Sequence, residues 1–414
     1  MKRRLVSVTV CLVCLFAFTV SASAAGFALY EYSARGNALG GAVIARADDP
    51  STIAFNPAGL TQLEGTQVAT GVSAILPNMD VKVNGDKVHG QNNVWLPPHL
   101  YMTHKYNDKW SFGVGMYTRF GLGTEYDADW AGKANVTHAV VQSYSINPNV
   151  AYQVNDNLSL AVGVEYIHVM MEIDKTISLA PFALAGGVLS KTKAEGYGTA
   201  LTLGMLYKFN DQWRLGVGYH SQAEIGASGD QRFHDVPAAV GGLFPNNHVT
   251  GTVILPEMIN VGLVYYPWED LSIEVGGVYT RWSTYNRLRF EFSKPVGGSF
   301  HSDTPKDWED VWRYNVGVEY AATDWMKLRV GYTYDESPLN DSQLDYLIPG
   351  NDRQLYSVGV GFNYDAWTLD LSYTYLWMKG RDYANTRTVT GVNPNSHSMN
   401  ARTDIYGVTL GYKF

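Results

Sequence analysis

Pairs of alternating segments meet, again and again, at tight turns that look alike. Tyr106-Asn107-Asp108-Lys109-Trp110, Val154-Asn155-Asp156-Asn157-Leu158 and Phe209-Asn210-Asp211-Gln212-Trp213 are three of these turns. Pro267-Trp268-Glu269-Asp270-Leu271, Thr323-Asp324-Trp325 and Tyr364-Asp365-Ala366-Trp367 are three more. Long polar connections lie between them. Tight turns on one side and long loops on the other describe an up-and-down antiparallel β-barrel.

The faces of the strands set the solvent. Counting back from the end, Phe414, Tyr412, Leu410, Val408 and Tyr406 share one face, and Lys413, Gly411, Thr409 and Gly407 share the other. Leu201, Leu203, Met205, Tyr207 and Phe209 likewise oppose Thr202, Gly204 and Lys208. A soluble sandwich buries its apolar face, whereas a membrane barrel turns that face to lipid and keeps the other inside. Trp110, Trp213, Trp268, Trp325 and Trp367 collect beside the short turns, where interfacial girdles place aromatic rings.

The start of the chain agrees with that destination. Lys2, Arg3 and Arg4 precede an apolar run from Leu5 to Val20, and Ala22-Ser23-Ala24 has the small residues of a cleavage site. Residues 1–24 therefore read as a signal peptide. Cys11 and Cys14, the 2 cysteines of the chain, fall inside it, so a mature chain has neither disulfides nor cysteine–metal sites. Loss of the three leader cations takes the formal charge from −8 to −11, which argues against a nucleic-acid partner.

Fourteen strands are expected, at about 65–82, 93–106, 109–120, 140–154, 157–177, 195–209, 212–228, 249–267, 270–292, 307–322, 325–335, 351–364, 367–381 and 401–414. The fold expected is an all-β, 14-stranded antiparallel transmembrane barrel over 65–414. Its inward residues are too small to fill a lumen of that width. Residues 25–64 do not alternate. They are rich in small residues from Ser33 to Ala42, turn at Ala47-Asp48-Asp49-Pro50-Ser51, and offer Asn56 as an N-cap with Pro57 at the first helical position. This segment is expected to form a small helical hatch that plugs the lumen.

Several motifs then resemble one family. Ala25-Gly26-Phe27-Ala28-Leu29, Ala47-Asp48-Asp49 and Asn56-Pro57-Ala58 resemble the hatch of the long-chain fatty acid outer-membrane transporters, the FadL and TodX type. Phe120-Gly121-Leu122-Gly123-Thr124-Glu125-Tyr126, Leu255-Pro256-Glu257-Met258, Trp282-Ser283 and Trp312-Arg313 resemble family signatures in the barrel. Asp335-Glu336-Ser337-Pro338, Ile348-Pro349 and Asp352-Arg353 continue the series, so the likeness covers nearly the whole mature chain.

The resemblance implies passive inward movement of a hydrophobic molecule, with sideways release into the membrane at a kinked strand. It puts that kink near Phe120 and Gly121, ligand near Phe27, and a carboxylate-facing cation at Lys175. A second family cation has no clean match, Lys306 being the nearest, which leaves uncharged hydrocarbons open as substrates. Asn56, Pro57 and Ala58 would take part in gating. Two loops are candidates for capture. One contains Trp130. The other, Leu179 to Leu189, contains Phe182 and Leu184, and reads either as a binding surface or as packing over the barrel mouth. Asp335 and Arg353 are expected to form a structural ion pair.

The remaining partners expected are outer-membrane lipid and lipopolysaccharide, and the insertion machinery that reads a C-terminal Phe such as Phe414. The protein is expected to be a monomer. No cofactor or metal is expected. The chain has no Gly-x-Ser-x-Gly, no metal-ligand spacing and no phosphate loop, so an enzyme is not expected. A general aqueous porin is the main alternative, but it would line its constriction with charge and lack the leading plug.

Overall fold

In the computed structural model, residues 26–386 and 389–414 are described. The leader and its cleavage site lie outside the described residues. Fourteen antiparallel strands close into one barrel. They are β1 Thr66–Asn78, β2 Pro98–Lys105, β3 Trp110–Tyr117 with Gly121–Glu125, β4 His138–Asn155, β5 Leu158–Ser178, β6 Gly187–Lys208 and β7 Trp213–His220 with Ala223–His234. Next come β8 Asn247–Leu255 with Met258–Trp268, β9 Leu271–Thr280 with Arg287–Val296 and β10 Ser299–Pro305 with Val311–Thr323. The last are β11 Met326–Asp335, β12 Arg353–Tyr364, β13 Trp367–Met378 and β14 Ala401–Lys413. Closure is made by β1 against β14, in a ladder from Gln67↔Lys413 to Asn78↔Arg402.

The turn chemistry has a simple basis. Asn107 Oδ1 accepts the amides of Lys109 and Trp110, both at 2.9 Å. Asn155 does the same for Asn157 and Leu158, and Asn210 for Gln212 and Trp213. Each asparagine thus supplies an acceptor for two amides that the end of the ladder leaves unpaired. Outside, Leu160, Val162, Val164, Leu201, Leu203, Val358 and Leu410 are exposed along the barrel, and Tyr106, Trp110, Trp213, Trp325, Tyr364 and Trp367 ring its short-turn end. That belt and girdle belong to an outer-membrane barrel.

The lumen holds the N-terminal segment. α1 Ala34–Ala38 is capped by Ser33, whose Oγ accepts from Gly36 N. α2 is Thr52–Phe55, and a 3₁₀ turn Pro57–Gln62 follows with Asn56 as its cap. The small inward residues of the wall let this backbone lie directly on it. A Cβ on Gly216 would sit 2.3 Å from Ile44 O, and one on Gly218 would sit 2.0 Å from Phe55 O.

Charge fastens the segment from both sides. Glu274 of β9 accepts three consecutive amides, from Ile44 at 2.6 Å, Ala45 at 3.1 Å and Arg46 at 2.9 Å. Arg46 reaches on to Gly317 O at 2.7 Å. Arg35 pairs with Asp49 at 2.9 Å and with Glu319 at 3.0 Å, and Arg329 pairs with the same Glu319 at 2.7 Å.

Several strands are interrupted. β7 breaks at Ser221-Gln222, β8 at Pro256-Glu257, β9 over 281–286 and β10 over 306–310. The expected second strand, 93–106, begins only at Pro98. The expected ninth, 270–292, is cut by a 3₁₀ turn at Trp282–Thr284.

Candidate functional site: a partition at a break in the wall

The break in β3 follows from β2. The β2–β3 ladder ends at Leu100↔Met116, where the next β2 residue whose backbone faces β3 is Pro98, which carries no N–H to donate; Pro97 faces β1 and accepts Ser73 N at 3.2 Å. Beyond it the second half of β3 pairs with β4 alone, from Gly121↔Gln142 to Glu125↔His138. The segment 95–97 instead follows β1, with Ile75 and Trp95 exchanging backbone bonds of 2.9 and 3.0 Å. A gap is left between residues 95–98 and 118–123. Trp95 partly covers it, its indole lying against the α-carbon of Gly123.

Ser143 of β4 holds the break in shape. Its hydroxyl accepts from Phe120 N at 3.0 Å and donates to Phe120 O at 2.9 Å. Inside, Arg119 meets Glu165 of β5 at 2.6 Å, Glu165 faces His220 of β7 at 3.2 Å, and the other ring nitrogen of His220 is 3.3 Å from Ala54 O in the hatch. A buried polar chain thus runs from the break to the plug.

The N-terminal residues occupy the vacant edge. Leu29 N donates to Arg119 O at 2.8 Å, and Gly121 N donates to Phe27 O at 2.9 Å, around an Ala28↔Phe120 bridge. Phe27 is 5% exposed. Its ring packs among Phe120 at 5.8 Å, Trp282 at 4.8 Å, Tyr285 at 5.5 Å and Trp308 at 5.7 Å.

Two cavities meet this strip from opposite sides. Phe27 lines a closed one of about 40 Å³, with Val169, Ile173, Ile225, Leu255 and Leu347 among its walls. Gly26, Ala28 and Leu29 line the other, about 240 Å³, which reaches Trp95, Leu96, Gly121 and Tyr144 at the gap. Leu96 and Tyr144 are exposed on the outer surface. Residues 27–29 are therefore a partition between an apolar inner pocket and a cavity in the wall. The inner pocket is well below the ~300–1,000 Å³ of ordinary ligand sites, so the partition stands closed.

The other residues singled out from the sequence are dispersed. Lys175 lies two residues beyond Ile173 on the same inward face of β5, half-buried, opposite the buried Ser190. Among the described residues it has no ion-pair partner, and the neighbouring charge that acts on it is Lys306. Lys306 is itself buried in an ion pair with Asp345. Trp130 is buried in the plug of loops over the mouth, stacked on Tyr126 at 4.0 Å and edge-on to Tyr346 at 4.9 Å. Leu184 packs against a separate cluster that includes Phe233, Val240 and Phe244, and Phe182 meets Phe244 edge-on at 6.1 Å while keeping 38% of its surface exposed. Asn56 is wholly buried, its amide donating to Ile44 O and Met205 O at 2.9 Å each. Asp335 and Arg353 pair at 2.7 Å, with Arg313 as a third member at 3.0 Å.

Sequence reasoning passed over Trp95, Pro97 and Pro98, although two prolines within an expected central strand argue for a break. It gave no role to Trp282, Tyr285 and Trp308 around Phe27. Trp282 stands in the family-like pair Trp282-Ser283, but no local pattern marks the convergence of the three, which meet only where β9 and β10 are both interrupted.

The closed fourteen-stranded barrel, with its outer apolar belt and aromatic girdle, defines the class as an outer-membrane β-barrel protein. The family model for outer membrane protein transport proteins (OMPP1/FadL/TodX) matches residues 15–414, and the chain belongs to that family. Its members are transporters or channels, not enzymes. A 47 kDa outer membrane protein of Pasteurella multocida is 28% identical over 95% of both chains. The long-chain fatty acid transport protein of Escherichia coli K12 is 25% identical over 86% of this chain and 89% of that one. In fold, a Pseudomonas aeruginosa FadL homologue matches with a TM-score of 0.83 at 17% identity, covering 94% of this chain and 100% of that one. The Pseudomonas putida toluene transporter TodX matches at 0.74 and 17%, covering 94% and 99%.

Proposed function

We propose that the protein carries long-chain fatty acids inward across the outer membrane by passive diffusion, with lateral release through the gap beside β3. The observation that carries the reading is the partition. Phe27–Leu29 separates an apolar pocket, with the cation Lys175 two residues along β5 from its wall residue Ile173, from a cavity that opens through the wall. An acyl tail fits the pocket's apolar lining, and a carboxylate fits an ammonium without a counter-ion.

In this reading residues 25–64 act as the hatch of the 65–414 barrel. Capture begins on the apolar loop tips with Phe182 and Leu184, beside the mouth cluster of Trp130. The ligand then fills the inner pocket and displaces Phe27, with Asn56-Pro57-Ala58 as the gating hinge of the hatch. It leaves past Phe120 and Gly121 into the bilayer. The protein works as a monomer, surrounded by lipid and lipopolysaccharide after delivery by the insertion machinery.

A second reading has a specific observation behind it. Lys306 is neutralised by Asp345, no cation is among the residues that line the pocket, and an uncharged aromatic or aliphatic hydrocarbon would satisfy its walls equally. Binding of a long-chain fatty acid to purified protein, with toluene and a long alkane as competitors and Lys175→Ala beside wild type, separates the two. Tight binding that weakens in the variant is expected. Weak fatty acid binding with effective competition by the hydrocarbons would move the protein to the second reading.

A further inference from the structure

The side cavity has a polar end that transport of a plain hydrocarbon does not require. From Leu96 and Tyr144 at the outer surface it runs inward, past Pro97 and Ala28, to Arg313 of β10 and Arg353 of β12. The outer part is apolar. The inner part carries two guanidinium groups that turn to one carboxylate oxygen. Arg313 Nη1 donates to Asp335 Oδ2 at 3.0 Å, and Arg353 donates to the same atom through Nη2 at 2.7 Å and Nε at 3.2 Å.

One oxygen cannot satisfy two such groups. Each guanidinium carries five N–H donors, and Asp335, whose other oxygen Oδ1 is buried without a partner, balances one charge of the two, while the charge of Glu31 acts on Arg353 without a direct bond. Among the described residues, Arg313 Nε and Nη2 and Arg353 Nη1 have no hydrogen-bond acceptor. The face of Arg313 lies over the ring of Tyr30 at 4.2 Å, which orders the group without supplying an acceptor. The other carboxylate on the cavity, Glu31, accepts the amide of Tyr30 at 3.0 Å and makes no ion pair with either arginine. Glu31 also belongs to the strip that continues the partition.

We propose that this inner end is an anion subsite, which takes the carboxylate of a single-chain amphiphile while the tail points outward past Leu96 into the bilayer. The volume supports a single chain. At about 240 Å³ the cavity holds a headgroup and the start of one tail, and the gap lets the rest lie in lipid. The bidentate geometry of guanidinium suits carboxylate and phosphate alike. The charge of Glu31, which acts on Arg353, opposes a second anion there, so the subsite holds its occupant weakly. The inference rests on the fatty acid reading for its carboxylate source. A resident single-chain lipid phosphate is the other source of the same chemistry.

The test is photoaffinity labelling of the full barrel in lipid nanodiscs. Three probes share one saturated chain with a photoreactive group near the head: a carboxylate, the matching alcohol and the matching alkyl phosphate. Labelled peptides are mapped by mass. The carboxylate probe is expected to label the cavity wall around residues 28–31 and 353–355, and the alcohol is not. Arg353→Gln should cut that labelling about tenfold, the worth of a charge-assisted hydrogen bond. Arg353→Lys should restore part of it, Glu31→Gln should raise it severalfold, and Lys175-dependent labelling of the inner pocket should persist in Arg353→Gln.

Equal labelling by acid and alcohol in the unaltered protein overturns the subsite, whatever the variants do. So does labelling that Arg353→Gln leaves unchanged. If the fatty acid reading fails instead, the carboxylate probe labels neither cavity. The phosphate probe then decides: labelling at 353–355 keeps the subsite as a lipid-headgroup site, and none overturns it.

Discussion

The body of the hatch and its leading strip are held in opposite ways. Residues 44–46 are gripped by three hydrogen bonds to one buried carboxylate, and Arg35 and Arg46 extend charge to the wall. Residues 27–29 have two backbone hydrogen bonds to the edge of β3 and a set of aromatic contacts. Buried charge is costly to strand, so the body is fixed in place. Ring contacts slide and an acyl chain can replace them, so the strip can leave while the body stays. In the proposed reading the strip therefore yields first, before any movement of the hatch at Asn56-Pro57-Ala58.

Four substitutions press on that contrast, from the largest expected effect to the smallest. Glu274→Ala strands Arg46 and three amides, and should destabilise the plugged barrel by about 3–5 kcal/mol. Thermal unfolding reads the loss, and single-channel recording should show new steady conductance. An unchanged melting curve would mean that charge does not fix the body. Phe27→Ala removes the ring from a site already beside a cavity and should cost about 3 kcal/mol locally. Hydrogen exchange at residues 26–31 should accelerate while that at residues 44–46 does not, and uptake of bulky fatty acids should rise.

Ser143→Ala leaves the amide and carbonyl of Phe120 without their clamp, at a cost of about 1–3 kcal/mol. Exchange at residues 119–121 should increase, with unfolding of the remaining barrel little changed. Asn107→Ala removes one turn acceptor far from the partition, for about 1 kcal/mol. It should shift the unfolding midpoint slightly and leave uptake as in wild type. An uptake defect here would show that the contrast between strip and body is not what controls transport.

The same contrast explains what could be read from the chain alone. Tight turns and alternation are local, and Asn107, Asn155 and Asn210 declare themselves because each bonds its own neighbours. The small inward residues of the strands required something to fill the lumen, and the leading segment was the available candidate. The break sites were harder to read. Alternation continues through Trp282 because side-chain periodicity does not register whether a neighbouring strand is present to pair. Lys175 could be placed on β5, but that Lys306 turns to Asp345 depends on a loop far away in sequence. Arg119, Glu165 and His220 each look like a single polar residue on an inward face, and only barrel closure makes them a chain.

Pro97 and Pro98 carry a consequence for assembly. Barrel strands join by donating amides across each new edge, and a neighbour's edge can do the same between molecules. Pro98, on the side of β3, has no N–H to give, while Pro97, on the side of β1, still accepts Ser73 N at 3.2 Å, so this stretch is tied to β1 and left unpaired toward β3. The window is written into the covalent chain. Trp95 and the N-terminal strip shutter it.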